Sequence, residues 1–308
     1  MQNTDDITQI FKGVIFENEP LSRHTWYQIG GPCDFYCIPE DIDNLKELIG
    51  YCEKNRYDYF IHGKGSNLLI GDNGIRGFVI DVSKACSFTK IEKSIITAGA
   101  GVYMPKLVLE CEKLGLGGIE MFAGIPGSVG GAIKMNAGCH GKEIFDVLTA
   151  VTVMQHGSTV TMKKDQVEFG YRHVKTFVDP AIVILSGTMQ LEYTDAEKLS
   201  ERRKEFMKKR QQTQPINLPS SGSVFKNPKN DHAARLIDQC GLKGLRIGHA
   251  SVSTKHANFI VNEGGARATD VLQIIKQIKE TVFKRFGVAL ELEVKLVGFS
   301  QDELNNLI

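Results

Sequence analysis

A short glycine-rich stretch, Ala123–Ala132, constrains the folding of this chain more than any other feature of its sequence. It reads Ala-Gly-Ile-Pro-Gly-Ser-Val-Gly-Gly-Ala, with its glycines set among apolar side chains. Glycine loses more backbone freedom on folding than any other residue, so such a cluster is costly inside a regular helix or strand. A backbone without Cβ atoms can turn sharply and present its N–H groups to an anion such as a phosphate. Pro126 fixes its own φ and stiffens the stretch; a plain tight turn between packed elements is the alternative.

Composition is that of an ordinary globular protein and argues against some partners. The sequence has 308 residues, enough for two domains, and a net charge of +1. A charge so close to zero provides no general attraction to nucleic acid or to an anionic membrane. No apolar run approaches the roughly 18 residues needed to span a bilayer, and Met1–Gln9 is too polar for a signal peptide. We therefore expect a cytoplasmic protein without nucleic-acid or membrane partners.

The cysteines and histidines do not form a metal-binding pattern. None of the seven cysteines belongs to a C-x-x-C pair, and the eight histidines form no H-x-x-x-H cluster. Cys33 and Cys37 could pair or share a metal, but no further ligands lie at zinc-like spacing. No metal site is predicted.

Hydrophobic spacing predicts a chain of mixed helix and strand. β-branched runs within residues 147–192 predict an antiparallel sheet, and a charged helix is predicted over Asp195–Arg210. Pro215 and Pro219 break the chain after this helix, so the predicted domain boundary lies in this region. The other main predictions are helices at Asp41–Asn55, 104–114, His232–Cys240 and Thr269–Phe286, and strands at Phe35–Ile38, Tyr59–His62, Gly77–Val82, Ser94–Ala98, Phe259–Val261 and Leu290–Val297.

The glycine-rich segments can be compared with known phosphate-binding loops. Gly63–Ser66 lacks the spacing of a P-loop. Gly99–Met104 follows a predicted strand and opens a predicted helix, but Met104 stands where a Rossmann fingerprint has its third glycine. What remains is a pair of turns, Gly63–Asn67 and Gly124–Gly131. Two such turns can hold a pyrophosphate from both sides, which favours a long dinucleotide such as FAD.

Eight segments, in order along the chain, carry a resemblance to one enzyme family. They are His24-Thr-x4-Gly-Gly-Pro32, Gly63-Lys-Gly-Ser-Asn-Leu-Leu69, Gly124-Ile-Pro-Gly-Ser-Val-Gly-Gly-Ala132, Met135-Asn-Ala-Gly138, Phe169-Gly-Tyr-Arg172, Gly222-Ser-Val-Phe-Lys-Asn-Pro228, Ser253-x2-His-Ala-Asn-Phe-Ile-Val-Asn262 and Leu292-Glu-Val294. With them the chain resembles, over nearly its whole length, the UDP-N-acetylenolpyruvoylglucosamine reductases, flavoenzymes of peptidoglycan precursor synthesis.

The resemblance implies an α+β fold with an FAD-binding region of the vanillyl-alcohol-oxidase/PCMH type. This region is expected over residues 1–194, as two α+β lobes divided near residue 83. A substrate-binding domain is expected over residues 195–308, with a catalytic glutamate on its final strand. The segment between Tyr193 and Gly222 is short and contains no extra tyrosine-bearing loop, so the chain resembles the compact subclass that lacks the tyrosine lid.

The resemblance also implies the reaction. The family reduces the enolpyruvyl ether of UDP-N-acetylglucosamine-enolpyruvate to the lactyl ether of UDP-N-acetylmuramate, with FAD as cofactor and NADPH as hydride donor. Hydride addition to the terminal vinyl carbon moves negative charge onto the adjacent carbon and its carboxylate, so the site needs a cation or strong donors and a proton source. Residues 64–67 contain no histidine, and His62 lies outside the turn, so FAD is expected to bind non-covalently.

Three residues match the family's catalytic positions. Arg172 matches the arginine of a Tyr-Arg motif, and a guanidinium can bind a carboxylate with two hydrogen bonds while staying ionised. Ser223 matches the proton donor, a role open to a weakly acidic hydroxyl because the acceptor is carbanion-like and strongly basic. Glu293 matches a carboxyl group that can hydrogen-bond the enolate-like intermediate. Strand alternation alone would place Glu293 on the solvated face with Glu291 and Lys295.

The remaining implied site residues contact the cofactor or the substrate. The expected cofactor-binding residues are Gly63, Lys64, Gly65, Ser66, Asn67, Leu68, Gly124, Ile125, Pro126, Gly127, Ser128, Gly130, Gly131, Ala132 and Arg210. The expected substrate-binding residues are Tyr171, Lys226 and Asn227.

Two other interpretations remain open. The first is an FAD-dependent oxidase on the same scaffold. The second is a non-catalytic nucleotide-binding protein that keeps the fold. The joint presence of Arg172, Ser223 and Glu293 disfavours the second, because a site that has lost its activity would be expected to lose at least one of them.

Overall fold

The computed structural model describes residues 11–307 as a mixture of helices and strands. The helices are α1 (Ile42–Asn55), α2 (Met104–Lys113), α3 (Val129–Lys134), α4 (Ile144–Val147), α5 (Ala196–Thr213), α6 (Ala233–Gln239), α7 (Ala268–Phe286) and α8 (Gln301–Asn305). The strands are β1 (Gly13–Pro20), β2 (Pro32–Pro39), β3 (Tyr59–His62), β4 (Leu68–Ile70), β5 (Ile75–Asp81), β6 (Thr89–Glu92), β7 (Ile95–Gly99), β8 (Leu116–Gly117), β9 (Gly138–Cys139), β10 (Lys142–Glu143), β11 (Leu148–Gln155), β12 (Ser158–Lys163), β13 (Phe169–Gly170), β14 (His173–Val174), β15 (Ile182–Gln190), β16 (Glu192–Tyr193), β17 (Arg246–Ile247), β18 (Ala250–Val252), β19 (Ile260–Asn262) and β20 (Lys295–Val297). Short 3-10 turns occupy Leu21–Arg23, Glu120–Gly124, Lys164–Gln166 and Lys175–Phe177.

The described chain divides into two compact units, and each has its own cluster of buried apolar side chains. The first unit comprises residues 11–17, Phe35–Lys64 and Gly77–Lys208, and the second comprises Asn18–Asp34, Gly65–Arg76 and residues 209–307. The two units are defined by how the chain packs and not by which ligand each part binds. The expected division by function at residue 194, with two lobes divided near residue 83, therefore stays a prediction.

The first unit is built around a five-stranded sheet in the order β12-β11-β15-β7-β6, with every neighbouring pair antiparallel. The antiparallel sheet predicted within residues 147–192 is confirmed, and β6 and β7 extend it. A second sheet has the order β1-β2-β5-β3, in which β3 and β5 run parallel. α1 begins after Asp41, whose carboxylate accepts a hydrogen bond from the N–H of Asn44 at 2.8 Å, an N-cap that satisfies a donor of the first turn.

The second unit packs a long helix beside small sheets. β17, β18 and β19 form an antiparallel sheet, and β20 runs parallel to β4. α7 buries the predicted apolar stripe that includes Val271, Ile274, Ile278 and Val282, as the helical period requires. The helix ends at Gly287, whose φ of +68° is a left-handed conformation that glycine adopts readily.

Two predicted elements differ from the structure. The final strand was expected over Leu290–Val297, but the regular strand is only β20, because the N–H groups of Glu293 and Val294 both donate to the carbonyl of Val224. Two residues facing one is the pattern of a β-bulge, which interrupts a ladder. The predicted glycine turn is also partly helical, since α3 begins immediately after Ser128. Its glycines tolerate a helix because tertiary hydrogen bonds hold its first turn.

Membrane and disulfide features can be stated for residues 11–307. No helix in this range is long and apolar enough to cross a membrane. The cysteines of the range form no disulfide, and no group of three His, Cys, Asp or Glu side chains within it could hold a metal ion.

Candidate active site

The turn Gly63–Asn67, between β3 and β4, carries a row of available donors. None of its backbone N–H groups donates a hydrogen bond to another residue of the range 11–307. Gly65 has a φ of +60°, a conformation that glycine adopts without steric penalty. Successive N–H groups in such a turn form a concavity that binds anions. The turn therefore has the donors that a phosphate requires.

Gly63 lies against the second glycine-rich stretch. A Cβ atom placed on Gly63 would lie 2.8 Å from Oγ of Ser128, closer than real Cβ atoms approach other atoms. The N–H groups of Gly127 and Ser128 also donate to no described residue. Within the first unit, Gly63 and Ser128, whose N–H groups are both available as donors, therefore lie close together, and a side chain on Gly63 would intrude between them.

The later part of the stretch uses its N–H groups inside the protein. These bonds run from Val129 N to Val102 O, from Gly130 N to Ala100 O, from Gly131 N to Ser128 Oγ and from Ala132 N to Ser128 O. The prediction of bare N–H groups is therefore wrong for these residues. A Cβ on Gly130 would lie 2.7 Å from Cβ of Ala100, so this glycine is required by the close packing of α3 on the residues that follow β7.

Arg172 lies at the tip of the β13–β14 hairpin, with a φ of +54°. Its Nη1 donates to the carbonyl of Asn136 at 3.4 Å, and its Nη2 donates to the carbonyl of Gly138 at 2.5 Å. Glu143 adds an ion pair, with Oε1 3.7 Å from Nη1, and the guanidinium also stacks on the ring of Tyr171 at 4.9 Å. These contacts fix the plane of a mostly buried guanidinium.

Asn136 organises the surroundings of Arg172. Its side chain is fully buried, and its Nδ2 donates to Glu143 Oε2 at 2.7 Å and to the carbonyl of Gly170 at 3.0 Å. The amide thus joins the carboxylate that faces Arg172 to the hairpin that carries Arg172. Met135–Gly138 is one of the motifs that carry the family resemblance, and no role was predicted for it. The structure shows that the motif positions Arg172.

Ser223 belongs to an extended segment of the second unit that lies beside Glu293. Lys226 N donates to the carbonyl of Glu291 at 2.8 Å, and Glu293 N donates to the carbonyl of Val224 at 2.8 Å. The half-buried Ser223 hydroxyl makes no hydrogen bond with any other described residue. The main chains of two predicted catalytic segments are therefore hydrogen-bonded to each other.

Two lysines, Lys226 and Lys295, lie on the segments next to Glu293. Lys226 pairs with the exposed carboxylate of Glu291, with Nζ 3.2 Å from Oε2. Desolvation by the surrounding protein lowers the pKa of Lys295, although part of that side chain remains exposed. The charge of Lys226 lowers the pKa of Lys295 further, and the charge of Glu293 opposes both effects. Lys295 is not among the residues predicted for the site, and strand alternation alone places it on a solvated face.

Asn67 connects the 63–67 turn to the segment of Glu293. Its Nδ2 donates to the carbonyl of Glu293 at 3.1 Å, and its own carbonyl accepts from Lys295 N at 3.0 Å. Asn227, expected to bind substrate, accepts a hydrogen bond from Ala233 N at 3.1 Å and so caps α6. Asn67 and Asn227 therefore both have structural contacts that their sequence motifs did not predict.

The remaining predicted cofactor-binding residues lie in β4, in α5 and in the turn before α3. Leu68 begins β4, and Arg210 is half-buried in the last turn of α5. Gly124 ends a 3-10 turn, and Ile125 and Pro126 lead from it towards α3. Within the first unit, Gly63 lies near Ser128, while Arg172 is held by the Met135–Gly138 motif. Within the second unit, Asn67, Ser223, Lys226 and Glu293 belong to adjoining segments.

Two protein-family models match separate parts of the chain. A family model described as FAD binding domain matches residues 33–162, and one described as UDP-N-acetylenolpyruvoylglucosamine reductase, C-terminal domain, matches residues 214–297. The reductase of that name from Geotalea uraniireducens is 40% identical over 96% of this chain and 99% of its own. The chain belongs to the UDP-N-acetylenolpyruvoylglucosamine reductase family.

Further relatives extend the comparison to a solved structure. The Bacillus subtilis UDP-N-acetylenolpyruvoylglucosamine reductase is 38% identical over 93% of this chain and 95% of its own. The crystal structure of the Thermus caldophilus reductase superposes with a TM-score of 0.80 at 34% identity, covering 93% of this chain and 99% of that one. The predicted family and α+β class are confirmed, and the chain is an FAD-dependent oxidoreductase.

The residues present fit an FAD pyrophosphate. The backbone N–H groups of Gly63 and Lys64 and those of Gly127 and Ser128 are donors without an acceptor among residues 11–307. The space beside Gly63 is one that a Cβ would fill. Bare N–H groups and a missing side chain are the features with which a backbone admits a phosphate.

Proposed function

We propose that this chain reduces the enolpyruvyl ether of UDP-N-acetylglucosamine-enolpyruvate to UDP-N-acetylmuramate, with NADPH as hydride donor, in peptidoglycan precursor synthesis. The observation that carries the proposal is the similarity to reductases of this family along nearly the full length of both chains. When bound, FAD would supply the hydride chemistry that links NADPH to the terminal vinyl carbon of the substrate. We also propose that the protein is cytoplasmic and that its binding partner is the small-molecule UDP-sugar.

Residues 1–194 would bind FAD and residues 195–308 the substrate. The match of an FAD-binding model to residues 33–162 and of the reductase C-terminal model to residues 214–297 supports this division. The backbone N–H groups of Gly63 and Lys64, with those of Gly127 and Ser128, would hold the pyrophosphate non-covalently. The predicted contacts of Gly130–Ala132 with FAD would then involve atoms other than their N–H groups, which are already bonded.

Arg172 would bind the substrate carboxylate as negative charge develops on it. A guanidinium offers a planar set of donors that suits a carboxylate. Its orientation is fixed by the carbonyls of Asn136 and Gly138 and by Glu143. A donor set that is oriented before the reaction needs little reorganisation in the transition state. Tyr171 stacks on the guanidinium and would contact the substrate on the same side.

Ser223 would give its proton to the carbon next to the terminal vinyl carbon, the one that bears the carboxylate. Glu293 would hydrogen-bond the enolate-like group. A hydroxyl is a weak acid, and nearby positive charge favours its ionised form. Lys226 and Lys295 lie on the segments that carry Ser223 and Glu293, and the two lysines interact electrostatically with each other and Lys295 with Glu293. Lys226 and Asn227 would also bind the substrate diphosphate.

The first test separates the two halves of the reaction. NADPH should bleach the flavin absorbance of the purified protein under anaerobic conditions, and UDP-N-acetylglucosamine-enolpyruvate should restore it. In Ser223→Ala, bleaching should continue at nearly the normal rate, while recovery should slow by roughly 10²- to 10⁴-fold, the usual contribution of a positioned proton donor. Ser220→Ala, in the same turn, is the matched control and should leave both rates unchanged.

Other outcomes would contradict the proposal. If the UDP-sugar did not restore the absorbance, while oxygen did so rapidly with an alcohol as reductant, the chain would be an oxidase on this scaffold. Equal slowing of both half-reactions in Ser223→Ala would mean that Ser223 positions the cofactor and does not donate the proton.

A further inference from the structure

We propose that Asn258 is a positioning residue that holds the Ser223–Lys226 segment where proton transfer to the substrate can occur. The inference rests on the proposed function. It concerns a buried side chain of the second unit that has no assigned role in the reaction. Asn258 is only 4% exposed, and its hydrogen bonds all go to the segment that carries Ser223.

The side chain of Asn258 pairs with both backbone groups of a single residue. Its Oδ1 accepts from Phe225 N at 3.0 Å, and its Nδ2 donates to the carbonyl of Phe225 at 2.8 Å. The backbone carbonyl of Asn258 also accepts from Val224 N at 2.9 Å. One residue thus supplies three hydrogen bonds that a neighbouring β-strand would otherwise supply.

The opposite edge of the segment is paired with the main chain around Glu293. Glu293 N donates to the carbonyl of Val224, and Lys226 N donates to the carbonyl of Glu291. Residues 224–226 are therefore held between Asn258 on one edge and residues 291–293 on the other. Ser223 directly precedes these residues, so a shift of Val224 or Phe225 would move the Ser223 hydroxyl relative to Glu293.

Asn258 is itself firmly placed. The N–H of Phe259 donates to the carbonyl of His256 at 3.0 Å, and Ser253 N donates to the carbonyl of Phe259 at 2.8 Å. The hydroxyl of Ser253 accepts from Lys255 N at 3.1 Å. The turn that carries Asn258 is closed on both sides, so the side-chain amide acts as a fixed reference for the segment.

Removal of the Asn258 side-chain amide would leave two buried backbone groups of Phe225 without hydrogen-bond partners. Phe225 is only 1% exposed, so truncation of Asn258 leaves its N–H and C=O without partners and without easy access to water. A buried polar group left without a partner is destabilising, and the segment is expected to move to satisfy these groups. Displacements of about 1 Å can slow a reaction by about 10²-fold when the reacting groups must be aligned.

Asn262 offers a matched control in the same motif and unit. It is 3% exposed, and its Nδ2 donates to the carbonyl of Tyr27 at 3.0 Å. Its Oδ1 accepts from Gly264 N at 2.9 Å and from Ala266 N at 3.1 Å. Asn262 is about as buried as Asn258, and its side chain makes more hydrogen bonds, but none of them goes to residues 223–226.

The test compares Asn258→Ala with Asn262→Ala in the FAD-loaded, full-length protein. Stopped-flow absorbance would give the rate of bleaching by NADPH and the rate of recovery with UDP-N-acetylglucosamine-enolpyruvate. We expect Asn258→Ala to slow recovery by about 10²-fold and to change bleaching by less than about twofold. Asn262→Ala should lower the unfolding temperature comparably and leave both rates within about twofold of wild type.

The outcomes separate the inference from the function on which it rests. If wild type recovers its absorbance but Asn262→Ala reproduces the slow recovery, or Asn258→Ala slows both half-reactions equally, the positioning role is wrong and the proposed function stands. If wild type itself fails to recover with the UDP-sugar, the function and the inference both fail.

Asn258→Asp keeps the test decisive if Asn258→Ala does not fold. An ionised aspartate accepts from Phe225 N but repels the carbonyl of Phe225, whereas a protonated one donates to that carbonyl as the amide does. Burial raises the pKa of a carboxyl group, so the recovery rate relative to wild type should rise as the pH falls. The ionisable groups on the adjoining segments, Lys226, His256, Glu291 and Glu293, are the same in both proteins, so the ratio isolates the new carboxyl. A ratio independent of pH would overturn the inference.

Discussion

The two glycine-rich segments, Gly63–Asn67 and Ala123–Ala132, use their backbones in different ways. In the 63–67 turn, every backbone N–H lacks an acceptor among residues 11–307. In the longer stretch, the N–H groups of Val129–Ala132 donate to backbone or side-chain oxygens of the same unit. The first segment retains donors that a ligand can use, and the last part of the second has used them in folding.

The comparison shows that a glycine cluster can serve packing and ligand binding within a few residues. Gly130 is needed because α3 approaches Ala100 closely, while Gly63 borders a space beside Ser128. Gly127 and Ser128, in the middle of the same stretch, keep N–H groups that donate to no residue of the range 11–307. A substitution should therefore affect either the stability of the fold or the affinity for FAD, depending on which glycine is replaced.

The largest effect is expected for Gly130→Val. Its Cβ would lie 2.7 Å from Cβ of Ala100 and 3.1 Å from the carbonyl oxygen of Ala100. Overpacking of this kind should lower the free energy of unfolding by about 3 kcal/mol. Denaturant unfolding of FAD-depleted protein would measure the loss.

Gly131→Ala is the control for that measurement. The nearest atom to its Cβ would be Ser128 Oγ at 3.5 Å, an ordinary contact. Alanine in place of a helical glycine should raise the free energy of unfolding by about 0.5–1 kcal/mol. If the two substitutions destabilised the protein equally, close packing of α3 on Ala100 could not be the reason for Gly130.

Much of the fold follows from periodicity in the sequence. The helix predicted at Asp41–Asn55 is observed as Ile42–Asn55, and the strand predicted at Tyr59–His62 has the same bounds in the structure. Elements that depend on tertiary hydrogen bonds were missed. α3 contains two adjacent glycines, and its first N–H groups depend on carbonyls of residues 100 and 102. The bulge at Glu293 depends on the carbonyl of Val224, which no local pattern reveals.

The site could be predicted to the level of motifs and not of contacts. The resemblance singles out Arg172, but its anchors Asn136 and Glu143 lie in other segments and become neighbours only on folding. The Ser253–Asn262 segment was recognised without a role for Asn258, which pairs with a residue 33 positions away in sequence. The only sequence signal for Asn136 and Asn258 was their place in two motifs of the family resemblance, Met135–Gly138 and Ser253–Asn262.

A smaller effect, on affinity for FAD, is expected for Gly63→Val. The new side chain would enter the space beside Ser128 Oγ, which lies 2.8 Å from the Cβ position. FAD affinity should fall by about 10- to 100-fold, equivalent to about 1.4–2.7 kcal/mol, while the unfolding of FAD-depleted protein should change less than in Gly130→Val. Titration of FAD-depleted protein with FAD would measure the affinity.

Gly50→Ala is the matched control for Gly63→Val. Gly50 lies in α1 of the same unit, and a Cβ there would meet no atom within 4 Å. Its FAD affinity should equal that of wild type. Full FAD affinity in Gly63→Val would show that the 63–67 turn does not face the cofactor.

The smallest effect is expected for Ser128→Ala, which joins the two segments in one measurement. Loss of the N-cap oxygen that accepts from Gly131 N should lower the free energy of unfolding by about 1 kcal/mol. The same change removes the atom that a Cβ on Gly63 would meet. Residues in direct contact give non-additive effects in a double-mutant cycle, so Gly63→Ala should weaken FAD binding less in the Ser128→Ala background than in wild type. Additive losses would mean that Gly63 is needed for the approach of the cofactor itself and not for its contact with Ser128.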